Sequence, residues 1–457
     1  MSQKLQRKYG LFTAICMVVG IVIGSGVFFK AKNILEMTGG NMPLGILAWL
    51  IGGAIMLVCL LTFSFMGQKY ERVGGLVDYA EATVSPKYGY YMGWFAATVY
   101  FPGMTSVLSW VSAMYTMVFL QSAFPAMAFG DPVTGSHTMA LTLFYLCMSY
   151  GINALSPKLA GKFQTSTTVI KMIPLALMAI VGLLVGIFSG MLQHNFVTPA
   201  PNITVTGNPL FAAVCSTAFA YEGWIIATSI NAEIKDSKKN LPRALIIGGL
   251  VIIAVYLFYY IGVAGGATNQ ELIEKGATVA FTNIFGGIFG NILNLFIAIS
   301  CLGTTNGLML GCTRCMYCLG SRGEGPDPEM FSQLDQRTNM PANSGIFALM
   351  ITAVWFLYYY ITNIAQVFGS SGPFIFDSSE LPIITIYLMY FPMLISWMIK
   401  EKEQNFLRRF LMPGLSLCGS AFMVVACIIS HKTACIWYLM VFAAIMAVGA
   451  ICNRRKK

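Results

Sequence analysis

Gly24, Ser25 and Gly26 lie in "GIVIGSGVFF", and with Gly20 they put helix-weakening residues inside an apolar run. A chain crossing hydrocarbon must satisfy its own backbone groups, so a break there needs a reason. An unwound Gly-Ser-Gly frees amides at the N-terminal end of the half-helix that follows, where the helix dipole also favours an anion. A carboxylate suits such a place. A second interruption occurs at Glu222 and Gly223, within "STAFAYEGWIIATS" at residues 216–229. Carbonyls exposed at the end of that first half-helix can accept hydrogen bonds from an ammonium group. Together the two breaks would grip both charged ends of a free amino acid. The competing reading is that the glycines only let helices approach, and Gly20 and Gly24 do have small-xxx-small spacing. Packing alone leaves the glutamate in the second break unexplained, so binding is preferred.

Lys171, in "TSTTVIKMIPLALM", also falls inside an apolar stretch. An intramembrane charge costs at least about 2.5 to 3.5 kcal/mol and usually marks a function. Snorkelling is the alternative, but the residue lies too deep for it if the stretch begins near 163. Pro174 leaves the carbonyl of Ile170 without its helical donor. Cys312, Cys315 and Cys318 form a C-x-x-C-x-x-C run that resembles part of a metal site, but no fourth ligand is near it, so helix packing is the expectation. His137, His194 and His431 lie near span ends, with no carboxylates or histidines expected around them. No cofactor and no metal are expected.

The elements that must position these residues are membrane helices. The 457 residues are 57% hydrophobic and 10% charged, with mean hydropathy +0.71. A spanning helix needs about 20 apolar residues. About twelve such stretches begin near residues 11, 44, 88, 138, 163, 208, 243, 280, 345, 378, 406 and 433. The basic residues preceding the first stretch could suggest a signal peptide, but no cleavage motif follows and an uncleaved helix is expected. With the N-terminus inside, 23 of the 28 Lys and Arg fall in cytoplasmic segments; Lys30, Lys32, Lys275 and Lys432 fall outside and Lys171 within a span. This positive-inside asymmetry accounts for the net charge of +10 without nucleic acid and puts both termini in the cytoplasm. The breaks fall in the first and sixth stretches. They suggest two five-helix halves, 10–190 and 208–400, the second inverted, with two extra helices over 405–452, all in one transmembrane domain of 1–457. Interrupted helices at matching places in two halves point to a transporter's central site.

"VVGIVIGSGVFF", "FAYEGW", "SCLGTTNG" (300–307) and "GGLVDYAEATVSPKYGYYMGW" (74–94) together resemble the amino acid/polyamine/organocation superfamily, in its L-amino-acid transporter branch, and are similar to bacterial serine/threonine exchangers. The resemblance implies an all-α membrane protein with a five-plus-five inverted-repeat core, broken helices one and six, and two added helices. It implies sodium-independent exchange of neutral L-amino acids by alternating access in the cell membrane. The implied substrate contacts are Val22, Ile23, Gly24, Ser25 and Gly26 in the first break, and Phe219, Ala220, Glu222 and Gly223 in the sixth. Amides of Gly24 to Gly26 would hold the carboxylate, and carbonyls near Val22, Phe219 and Glu222 the ammonium. Phe219 is similar to the family's gating aromatic, and Trp224 matches its neighbour. Lys171 would be a built-in cation between helices one, five and eight, facing the Gly24 region, Ser300 and Thr304. Tyr256 matches a helix-seven tyrosine, with packing as its alternative role. Asn306 repeats a helix-eight pattern, or serves interhelical bonding alone. Animal members pair with a glycoprotein through a cysteine between spans three and four. "LQSAFPAMAFGDPVTGSHTM" has none, so no disulfide-linked heavy chain is expected.

A proton-coupled amino acid symporter, in which Lys171 discharges in each cycle, is the alternative mechanism. A channel would show charge rings or a filter repeat, a sensor an added soluble domain, and an enzyme a nucleophile beside a base; none is read here. Phe219 and the lack of an intramembrane counter-charge other than Glu222 favour neutral substrates. Side-chain selectivity would come from spans one, three, six, eight and ten.

Overall fold

The structure, a computed structural model, describes residues 9–70, 75–200, 208–225, 234–369 and 371–453. Among these no strand forms; an isolated parallel bridge joins Tyr9 to Ile234, and the Lys235 amide donates to the Tyr9 carbonyl at 2.9 Å. Among the described residues ten helices are long and apolar enough to cross a membrane, and a bent pair makes eleven. The chain is thus an all-α multi-pass membrane protein.

Every expected stretch receives a helix. The first span is Leu11–Val22 with Gly26–Met37, the second Met42–Lys69, the third Pro86–Ala123, the fourth Ser136–Leu155 and the fifth Lys158–Phe188. Pro209–Tyr221 stands at the sixth place, followed by Ser237–Ala264, Gly287–Gly320, Ala342–Ile364, Leu381–Lys400, Leu407–His431 and Thr433–Cys452. With 13 residues, Pro209–Tyr221 is too short to cross alone. Residues 226–233, where its second half would run, lie outside the described residues, as do Arg72 and the terminal lysines and arginines used in the charge reading.

Local chemistry sets these boundaries. Asn41, Ser85, Ser156 and Asn208 each cap a helix by accepting a backbone amide, and each is followed within two residues by a proline whose missing N–H costs nothing there. The Ser156 cap starts the fifth span's helix at Pro157, six residues before the expected 163, which sets Lys171 about four turns deep. The first span ends at Val22 because Ile23 turns extended (φ −74°, ψ 92°), and the two half-helices meet at 40°. Turns of π-helix interrupt longer spans, and the one at Ala96–Tyr100 ends on Tyr100 within the third. The unbroken eighth span packs against the first, third, fifth and ninth, and the seventh against the first and second.

Candidate functional site

The break in the first span opens onto a narrow cavity, with about 260 Å³ of empty space counting the open solvent at its mouth. It is lined by Val22, Gly24, Ser25, Gly26, Phe219, Glu222 and Gly223, all expected there from the sequence. Among the described residues, the amides of Gly24, Ser25 and Gly26 meet no hydrogen-bond acceptor. Helix geometry explains this: the first turn of Gly26–Met37 has no preceding turn to supply carbonyls. The packing reading of the glycines is also realised in part. A β-carbon on Gly20 would lie 2.1 Å from Thr168 Oγ1, and one on Gly26 would lie 2.6 Å from the Ala220 α-carbon. Gly24 faces Thr304, whose hydroxyl a β-carbon would meet at 2.9 Å.

The sixth-place helix stops at Tyr221, where Glu222 turns extended and Gly223 takes φ +100°, a conformation that favours glycine. The last carbonyls of that helix therefore have no intrahelical donor. Tyr256 of the seventh span joins the two breaks: its hydroxyl lies 3.1 Å from the Val22 carbonyl and 2.8 Å from that of Ala220. Ile23 and Ala220 are not in the cavity lining; their carbonyls face Lys171 and Tyr256 instead. Glu222 is buried, and the Tyr100 hydroxyl donates to its Oε1, while Oε2 has no partner among the described residues. Trp224 is fully buried, edge-on to Phe63 and near Tyr390 of the tenth span.

Lys171 is completely buried and donates to the carbonyls of Gly20, at 2.8 Å, and Ile23, and to Thr304 Oγ1 at 3.4 Å. Ser300 donates to the Gly24 carbonyl at 3.2 Å, and Thr304 reaches those of Gly20 and Ile23 at 3.2 Å each. The lysine thus sits between the first, fifth and eighth spans. Asn306 takes its partners elsewhere, from Asn153 at 3.0 Å and Gln164 at 3.3 Å.

Three features escaped the sequence reading. Met104 and Leu108 of the third span and Leu308 of the eighth also line the cavity, yet in uniformly apolar helices nothing in the pattern marks the inward face. Tyr100 lies 122 residues from the carboxylate it serves. Above Phe219, Lys30 stands 5.2 Å over the ring and pairs with Glu380 at the head of the tenth span. Lys30, assigned to an outside segment, is buried in the first span's second half-helix. One expectation is corrected here: His431 is not isolated, because its Nε2 lies 3.0 Å from Glu380 Oε2 and it stands beside Cys215 and Cys427. Helices distant in sequence converge there. Cys312, Cys315 and Cys318 are buried along one helix, as packing requires.

A helix broken within its span, a cavity at the break and a buried cation fastening it define a secondary transporter. Residues 9–451 match the amino acid permease family, and the chain belongs to that family. It is 28% identical over 441 residues to the serine/threonine exchanger SteT of Bacillus subtilis, covering 94% of this chain and 93% of that protein. It is also 28% identical over 353 residues to the human Asc-type amino acid transporter 1, covering 77% of this chain and 65% of that one. The human large neutral amino acids transporter small subunit 2 is 28% identical over 353 residues, 76% of this chain and 64% of its own.

Proposed function

We propose that this protein exchanges neutral L-amino acids across the cell membrane by alternating access, without sodium. The observation that carries the reading is the cavity lined by Gly24 to Gly26, whose amides have no partner among the described residues, together with Phe219, Glu222 and Gly223. Those amides would bind the carboxylate, and the Val22, Phe219 and Glu222 carbonyls the ammonium; Ile23 and Ala220 would shape the two breaks from behind. Phe219 would close over the substrate, with Trp224 bracing the turn. Lys171 occupies the kind of position a transported cation would need, and at the meeting of the first, fifth and eighth spans a permanently charged ammonium makes sodium unnecessary. Tyr256, Ser300 and Thr304 hold the same joint, and Asn306 ties the eighth span to its neighbours. The five-plus-five inverted organisation, the cytoplasmic termini and function without a disulfide-linked heavy chain belong to the same proposal. The relatives named above, described as exchangers or amino acid transporters, support it.

The test is uptake of labelled serine and a panel of other amino acids into proteoliposomes, empty or preloaded, each with and without an inward proton gradient. Exchange predicts uptake into preloaded vesicles only, indifferent to the gradient. Gradient-driven accumulation in empty vesicles, lost in Lys171→Ala, would replace exchange with proton symport.

A further inference from the structure

Cys215, Cys427 and His431 offer one ligand atom each, all within 4.8 Å of one another. They come from two separate helices: Cys215 from Pro209–Tyr221, and Cys427 and His431, one turn apart, from the eleventh span. The thiols are buried and the imidazole is part-exposed, so the cluster has a route to water through the histidine. A fourth sulfur is close: Cys435, at the start of the twelfth span, has its Sγ 3.9 Å from the Cys427 carbonyl.

We propose that this cluster is a binding site for a thiophilic divalent cation of the zinc class, and that occupancy locks the transporter shut on the Lys30 face. Two sulfurs and one imidazole nitrogen are the donor set that zinc and cadmium prefer over harder cations. Around a tetrahedral ion such donors stand about 3.5 to 3.8 Å apart, so the side chains need only close by roughly an ångström from their present spread. Both thiols give up their protons on binding, and with water in the fourth place two thiolates against one divalent cation leave the buried site neutral. Glu380 already holds one imidazole nitrogen of His431, the carboxylate–histidine arrangement that orients a metal-bound ring. The fourth place falls to Cys435 or to water.

The consequence for transport follows from what the ligands are attached to. Cys215 lies one turn before Phe219 on the same helix, and Glu380 joins both His431 and Lys30. An ion held by Cys215 and Cys427 would pin the sixth-place helix to the eleventh span. It would also hold the chain from His431 through Glu380 to Lys30, which stands over Phe219. Opening on that face would then require the ion to leave.

Cadmium titration of the purified full-length protein gives a readout that does not depend on transport. A thiolate-to-cadmium charge-transfer band should saturate at one ion per chain, and zinc should compete for it. The same ion, added to the Lys30 face of proteoliposomes, should inhibit uptake, and chelation should reverse the inhibition. Cys427→Ser and His431→Gln should each weaken binding and inhibition by roughly tenfold or more, while Cys418→Ser, an exposed cysteine of the same span, should change neither. An unaltered band in Cys427→Ser, His431→Gln and Cys215→Ser would overturn the site. Binding without inhibition would overturn the lock.

Discussion

The ammonium nitrogen of Lys171 lies 2.8 Å from the carbonyl oxygen of Gly20, in the last turn before the first span unwinds. A charge that would be costly in hydrocarbon is thereby spent on carbonyls the break itself leaves open. The two oddities of the sequence, an intramembrane lysine and a glycine-rich break, answer each other.

Lys171→Ala should therefore damage the joint as well as transport. Removing the donor leaves the Gly20 and Ile23 carbonyls with only Thr304 and Ser300 hydroxyls to share. The expected loss is about 1 to 3 kcal/mol for the unsatisfied groups. Thermal unfolding in detergent should move down, and exchange should fall below detection. A variant with unchanged unfolding and exchange would show that the joint does not need the charge.

Gly24 and Gly26 should fail for different reasons. A methyl at Gly24 meets the Thr304 hydroxyl at 2.9 Å, the end of a short side chain, whereas one at Gly26 meets the Ala220 α-carbon at 2.6 Å. Backbone cannot step aside. Gly26→Ala should cost about 1 to 3 kcal/mol of stability from overpacking, and no trimming of neighbours should rescue it. Against Thr304→Ala alone, which gives up the hydroxyl's own bonds, adding Gly24→Ala should cost little further stability while substrate affinity falls. Unchanged affinity in that pair would remove the carboxylate contact from Gly24.

Tyr256→Phe isolates one hydroxyl. Its loss frees the Val22 and Ala220 carbonyls and should cost about 0.5 to 1.5 kcal/mol, with a change in substrate KM larger than any in expression. Equilibrium binding and unfolding, measured on one preparation, separate the two effects. Identical KM would leave Tyr256 as packing against Trp49 and Tyr221, whose rings it also touches.

Phe219→Ala should slow exchange severalfold while leaving the protein folded, because the ring lines the cavity beside both breaks. Closure over a site often limits turnover. Single-turnover exchange that matched the parent would make Phe219 part of the wall instead.

How far the sequence could be read depended on the range of each interaction. The break at Gly24, the twelve stretches and the depth of Lys171 were legible because each follows from local composition and the cost of backbone or charge in lipid. The partners of Lys171 followed from resemblance. Tyr100 on Glu222, Lys30 on Glu380 and the meeting of Cys215 with Cys427 were not legible, since each joins helices far apart in the chain with no periodic signal. His431 was misjudged for the same reason. No carboxylate lies near it in sequence, and the one it meets arrives from the head of the tenth span.

The two parts of the first span also make a lever. Gly26–Met37 is a stiff rod of 12 residues, about 18 Å long, and its near end rests against Ala220 at Gly26. That contact is a fulcrum. A turn of roughly ten degrees about it carries the far tip about 3 Å, the width of a water molecule, while Lys30, about 6 Å from the pivot, travels about 1 Å. An unbroken helix would have to tear its own hydrogen bonds to swing so far. Here three residues of slack let one end of the span sweep aside while its other half stays moored to Lys171.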